Sequence, residues 1–200
     1  MISKRIFDIV GASILLIAVI PFLLFFALVI LISSSGPVFY LGQRTGLNGR
    51  PFLIFKFRTM IVDAERKGGG TTAFGDKRIF PFGRFLRRYK LDELPQLLNV
   101  LRGEMSLVGP RPELPKYTDQ YTAKERKILT VRPGITDLSS ICFSSLDEVV
   151  GASNADEVFE KKVLPEKNRL RLQYVETQSL VGDLKILLLT VWCILRKICC

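Results

Sequence analysis

Asp92-Glu93 is the pair of side chains best suited to chemistry in this 200-residue chain. It is followed by Leu94-Pro95, and Pro is tolerated in a helix only in the first turn, where backbone N–H groups are unpaired anyway. The spacing therefore predicts that Asp92 or Glu93 stands at a helix start, where Asp is a favoured cap. A helix N-terminus carries about half a positive charge and attracts phosphates. Arg84, Arg87, Arg88 and Lys90 lie just upstream. Two carboxylates among cations at a helix start suit metal-assisted phosphoryl chemistry, in which one holds Mg²⁺ and the other attacks phosphorus. Simple helix capping explains the same pair. Gly109-Pro110-Arg111-Pro112 fixes the backbone on both sides of one Arg, which suits bidentate phosphate binding and equally an ordinary turn. Lys56 and Arg58 alternate with Phe55 and Phe57, so a strand there carries both cations on one face, for a ligand or for solvent.

Composition narrows the chemistry further. The chain has no His, which removes Ser-His-Asp and Cys-His triads and HExxH metal sites. Its four Cys (Cys142, Cys193, Cys199 and Cys200) form no CxxC pair, so zinc-knuckle and thioredoxin spacings are absent. Lys and Arg number 29 against 19 Asp and Glu, a net charge of +10. That excess suits anionic substrates and anionic membrane surfaces. Nucleic acid is not an expected partner, because the aromatic signatures of RNA-binding modules are missing.

Several elements must position these groups. Residues 9–32 carry no charge over 24 positions, against the roughly 20 needed to cross a bilayer core. The run is too long for a signal-peptide core and no A-x-A cleavage pattern follows it. Pro21 interrupts it, and basic residues flank both sides: Lys4 and Arg5 before, then Arg44, Arg50, Lys56 and Arg58 after. The positive-inside rule wants both flanks in the cytosol. A helix that enters, breaks at Pro21 and returns satisfies this; a kinked span is the alternative. Residues 180–198 read as an amphipathic helix lying at the membrane interface, with a packed core helix as the other reading. Cys199-Cys200 could accept a lipid, although no CaaX pattern exists.

Between these segments, residues 38–41 and 51–57 read as strands around a turn at 46–49, and Gly68-Gly69-Gly70-Thr71-Thr72 as a flexible loop. Helices are expected over 78–89, 91–101, 113–129 and 155–177, the last broken at Pro165. In the second, Leu91, Leu94, Leu98 and Leu101 make an apolar stripe opposite Asp92, Gln96 and Asn99. The expected fold is α+β and mostly helical: an N-terminal re-entrant membrane helix-break-helix, interfacial amphipathic helices and a small β element. Residues 1–35 form the anchor, 36–179 a cytosolic catalytic domain at the membrane interface, and 180–200 the C-terminal interfacial helix.

Together these stretches resemble the bacterial sugar transferase family, the monotopic phosphoglycosyl transferases. The matching runs are Lys4-Arg5-Ile6-Phe7-Asp8, Gly36-Pro37-Val38-Phe39-Tyr40 with Gln43-Arg44 and Gly46, and Lys56-Phe57-Arg58-Thr59-Met60. Asp92 through Pro112, Arg132-Pro133-Gly134-Ile135-Thr136 and Asp183-Leu184-Lys185-Ile186 complete them. The resemblance implies a re-entrant helix broken at a proline matching Pro21, on the cytosolic face of the bacterial inner membrane. It implies that Asp92 attacks the sugar-proximal phosphorus of a UDP-sugar and expels UMP. Polyprenyl phosphate, typically undecaprenyl phosphate, then takes the sugar phosphate, opening assembly of a lipid-linked glycan for capsule, exopolysaccharide, O-antigen or glycoprotein. Glu93, with Asp92, would hold Mg²⁺, and Lys56, Arg58, Arg87 and Arg111 match phosphate-binding positions. Membrane lipids are further partners, and a homodimer is compatible with the sequence.

Many members continue the Pro-Gly-Ile-Thr motif with Gly-Trp-Ala-Gln, whereas this chain has Asp137-Leu138-Ser139-Ser140. A subset shares that continuation, together with a later segment like Val163-Leu164-Pro165-Glu166-Lys167. The difference bears on sugar recognition. Two other readings compete: a glycosyltransferase releasing UDP, and a non-catalytic membrane adaptor.

Overall fold

The structure, a computed structural model, describes residues 2–64, 75–143, 149, 151 and 154–199. The Gly68–Thr72 loop and Cys200 lie outside these residues. Helix α1 (Ile2–Ser33) is long and apolar enough to cross a membrane, and only 11% of its most apolar stretch is buried. The helix is uninterrupted at Pro21, where a break was expected. One proline removes a single i→i−4 hydrogen bond and can bend a helix without ending it. What does change there is the packing partner. Phe7, Ala12, Leu16 and Val19 join the main core, whereas Leu23, Phe26, Ala27 and Ile30 join a second cluster with Phe57, Phe80 and Leu86.

Both ends of α1 are tied to the body. At the start, Lys4 Nζ donates to Asp183 Oδ2 at 2.6 Å and to the Val108 carbonyl at 3.0 Å. Asp8 Oδ1 accepts from Ser106 Oγ and the Leu107 amide. Arg5 donates to the Val100 and Leu101 carbonyls, which lie at a helix end where carbonyls lack intrahelical partners. At the other end, Arg58 donates to Ser34 Oγ, the Ser34 carbonyl and the Pro37 carbonyl.

Strands β1 (Phe39–Thr45) and β2 (Pro51–Phe57) form an antiparallel hairpin that pairs Phe39 with Phe57 and Thr45 with Pro51. Pro51 and Phe57 bound β2 as expected, while β1 runs four residues further than residue 41. Helix α2 (Pro81–Arg88) lies within the expected 78–89. The expected 91–101 helix is a 3₁₀ turn (Leu91–Glu93) followed by α3 (Gln96–Arg102). Strands β3 (Ser106–Val108) and β4 (Gly134–Thr136), which sequence reading did not anticipate, pair in parallel.

The single helix expected over 113–129 is instead α4 (Pro115–Thr118) and a 3₁₀ stretch (Glu125–Thr130). Thr122 and Glu125 cap each other in between, the Thr122 amide donating to Glu125 Oε2 and the Glu125 amide to Thr122 Oγ1. That reciprocal box restarts the chain rather than continuing it. Helix α5 (Leu138–Cys142) follows β4. Helices α6 (Ala155–Val158) and α7 (Leu164–Thr177) are joined by a π turn (Phe159–Val163) just ahead of Pro165. The chain ends in α8 (Leu180–Cys199), with Asp183 and Ile186 buried and Val181, Leu184, Leu188, Trp192 and Leu195 exposed. The main core joins Ile54, Leu97, Val100, Met105, Val108, Tyr174 and Ile186 to α1.

Candidate active site

Lys90 adopts a left-handed conformation (φ 59°), which turns the chain sharply out of α2 and into the 3₁₀ turn that carries Asp92 and Glu93. Leu91 and Leu94 pack half-buried on the Phe26–Ile30–Phe57 cluster. The polar face is buried more deeply: Asp92 and Glu93 are each 7% exposed, and Gln96 and Asn99 are fully buried. The reason is Asn99. Its Oδ1 accepts from the Phe55 amide at 2.9 Å, and its Nδ2 donates to the Leu53 carbonyl at 2.8 Å. Those bonds lay β2 over the polar face of α3 and bring Lys56 to Glu93.

Glu93 is held by two cations. Lys56 Nζ donates to Oε1 at 2.8 Å, and Arg111 bridges both oxygens, with Nη1 on Oε2 at 2.9 Å and Nη2 on Oε1. Burial pushes the Glu93 carboxyl up, but Arg111 and then Lys56 outweigh it and hold it well below the usual carboxylate range. Burial lowers the Lys56 amine, with Glu93 opposing. Asp92 is the contrasting case. Among the described residues its carboxylate accepts no hydrogen bond, and burial followed by the Glu93 charge raises its pKa against the pull of Lys56, Arg87 and Lys90. Adjacent carboxylates thus differ: one is pinned and anionic, the other is unpinned and more basic.

The structure therefore groups Asp92, Glu93, Lys56 and Arg111, with Arg87 acting on Asp92 through charge. Arg58 is spent at the exit of α1, where three nitrogens donate to Ser34 and Pro37. Sequence reading missed Asn99 as the residue that docks the hairpin. The available signal was a polar residue recurring three positions after Gln96 on an otherwise leucine-rich helix. No group of three or more His, Cys, Asp or Glu stands together among the described residues. Mg²⁺ takes one or two carboxylates and completes its shell with phosphates and water; Asp92, which accepts no hydrogen bond among the described residues, fits that role, while both Glu93 oxygens are held by Lys56 and Arg111.

The 109–112 turn that presents Arg111 is packed tightly against β4. A Cβ on Gly134 would lie 2.1 Å from the Gly109 nitrogen, and one on Gly109 would lie 2.5 Å from the Arg132 carbonyl oxygen. Only glycines permit this approach.

Lys167 is a second buried cation nearby, 5% exposed, with its Nζ 5.2 Å and 5.9 Å from the ring centroids of Phe159 and Phe143. Burial pushes its pKa down to about 8, with Glu113 opposing and Arg171 and Arg111 reinforcing. The folded state thus disfavours a proton that the unfolded chain keeps to about pH 10.4, so this residue's contribution to stability improves as pH rises from 8 towards 10.5. Lys167→Met should stabilise the fold by about 2 kcal/mol at pH 7, with the gain shrinking by pH 10. Thermal melts at the two pH values check this; an equal gain at both would refute it.

A family model for bacterial sugar transferases matches residues 1–197. The chain is 41% identical over 191 residues to EpsL, an uncharacterized sugar transferase of Bacillus subtilis, covering 96% of this chain and 86% of that protein. It is 38% identical over 193 residues to a UDP-glucose:undecaprenyl-phosphate glucose-1-phosphate transferase of Caulobacter vibrioides, covering 95% of this chain and 68% of the relative. A third relative, an undecaprenyl-phosphate glucose phosphotransferase of Komagataeibacter xylinus, is 39% identical over 202 residues, covering 96% of this chain. The chain spans 35% of that protein's length.

Proposed function

Because the chain belongs to the bacterial sugar transferase family, we propose that it moves a sugar-1-phosphate from a UDP-sugar to polyprenyl phosphate and releases UMP. The observation that carries this reading is the split between the two carboxylates: Glu93 bound by Lys56 and Arg111, Asp92 free of hydrogen bonds among the described residues. An Asp92 oxygen bonds to the sugar-proximal phosphorus as the bond from that phosphorus to the bridging oxygen breaks, and the electron pair leaves with UMP. An oxygen of polyprenyl phosphate then displaces Asp92, giving a polyprenyl-diphospho-sugar and restoring the carboxylate. Lys56, Arg87 and Arg111 supply positive charge to the diphosphate. Asp92, with Glu93 beside it, would hold Mg²⁺, which when bound neutralises charge on the diphosphate.

The anchoring of α1 supports a location at the membrane. Its two ends bind the same body, through Lys4 and Asp8 on one side and Ser34 on the other. That arrangement supports a helix held on one face of the membrane rather than spanning it, and the proposed face is the cytosolic one of the inner membrane. The exposed apolar face of α8 suits a helix lying on that interface. With native cysteines removed, Ser3→Cys and Ser35→Cys should both react with a membrane-impermeant maleimide from the cytosolic side only. Labelling of Ser3→Cys from the opposite side would overturn the topology.

The deciding experiment measures nucleotide release from a panel of UDP-sugars with Mg²⁺ and polyprenyl phosphate. UMP identifies phosphoglycosyl transfer and names the sugar, whereas UDP would make the protein a glycosyltransferase and remove the covalent step.

A further inference from the structure

Arg111 reaches Glu93 from a turn that is itself gripped by a buried charge network running away from the site. Asp137, 1% exposed, accepts the Arg111 backbone N–H on Oδ2 at 3.1 Å. The same carboxylate takes Ser139 Oγ at 2.7 Å and, on Oδ1, the Ser140 amide at 2.6 Å, which fixes its orientation at the start of α5. Two residues beyond Arg111, Glu113 Oε1 accepts from Arg171 Nη2 at 2.7 Å. Arg171, on α7, is fully buried, and its Nε lies 3.7 Å from Asp137 Oδ2, too far for a hydrogen bond. Asn168 takes its Nη1 at 3.1 Å.

We propose that Asp137 and Arg171 are positioning residues for Arg111: together they clamp residues 111–113 from behind and aim the guanidinium at Glu93. Neither touches Asp92 or Glu93, and the role rests on the phosphate-binding reading of Arg111. A buried ion pair is a poor device for stability alone, since packed apolar groups of similar volume serve as well or better. It is a good device for holding one arrangement, because Asp137 must satisfy the Arg111 amide, two serines and Arg171 at once. Asp137 supplies the anchor, and Arg171 is the cation that offsets it.

The test is a double-mutant cycle on UMP release. Asp137→Asn and Arg171→Met should each lower kcat/KM by about 100-fold, the cost of a misplaced binding group. Combined with Arg111→Met, neither should lower it further, because they act through Arg111. Additive losses, or unchanged kcat/KM in the single variants, would overturn the role. Asp137→Asn conserves shape and keeps the test open if Arg171→Met fails to fold. Amide hydrogen exchange over residues 109–114 gives a readout free of catalysis, and should speed up in both variants while the rest of the chain stays protected. If the wild-type protein releases no UMP from any donor, the functional reading fails and exchange alone decides the clamp. Unchanged exchange over 109–114 would then overturn it.

Discussion

Asp92→Asn leaves a folded protein that releases UMP at least about 10³-fold more slowly, the scale seen when a covalent nucleophile is removed. The fold should survive because Asp92 makes no hydrogen bond among the described residues that the amide would break. The substitution also removes the like charge beside Glu93 in a buried site, so thermal stability should hold or rise. Glu93→Gln is different: it leaves Lys56 and Arg111 without their shared anion and should cost stability as well as rate. Intact-mass measurement with a UDP-sugar and no lipid acceptor should find a phosphosugar adduct on the wild-type protein and none on Asp92→Asn. Substantial UMP release by Asp92→Asn would remove this residue from the nucleophile's role.

The second large effect concerns the tie between the chain's two ends. Lys4 and Asp183 are 8% and 0% exposed, 2.6 Å apart, and joined by Tyr174, whose hydroxyl donates to Asp183 Oδ1 at 2.8 Å. Removing one partner of a buried pair strands the other charge, at a cost of about 3–5 kcal/mol. Lys4→Met and Asp183→Leu should each destabilise by that amount in detergent. The double variant should recover most of the loss, because no buried charge is then left alone. Denaturant unfolding of the three variants checks this, and losses that simply sum would show that the pair is not coupled.

How far the sequence could be read depended on where each signal was written. The hairpin was legible because the alternating run at 51–57 and the Gly46–Gly49 turn are local. Helix α8 was legible because its apolar face is continuous. The Asp92-Glu93 pair was singled out from its neighbours as a candidate, and it sits on a 3₁₀ turn ahead of α3 rather than at the start of that helix. What could not be read was non-local. The parallel β3–β4 pairing joins segments about 28 residues apart through two strands of three residues each, too short to carry an alternating pattern. The inward turning of Asn99 depends on backbone atoms 44 and 46 residues away. Arg58 looked equivalent to Lys56 by alternation, yet β2 ends at Phe57, and the exit of α1 then claims its guanidinium. The 113–129 stretch failed as one helix because Thr122 and Glu125 satisfy each other locally.

The contact between Gly109 and Gly134 limits how this protein can change over generations. Where two backbones pass with no room for a methyl group, any substitution moves the Arg111 turn bodily, so that part of the molecule is closed to gradual drift.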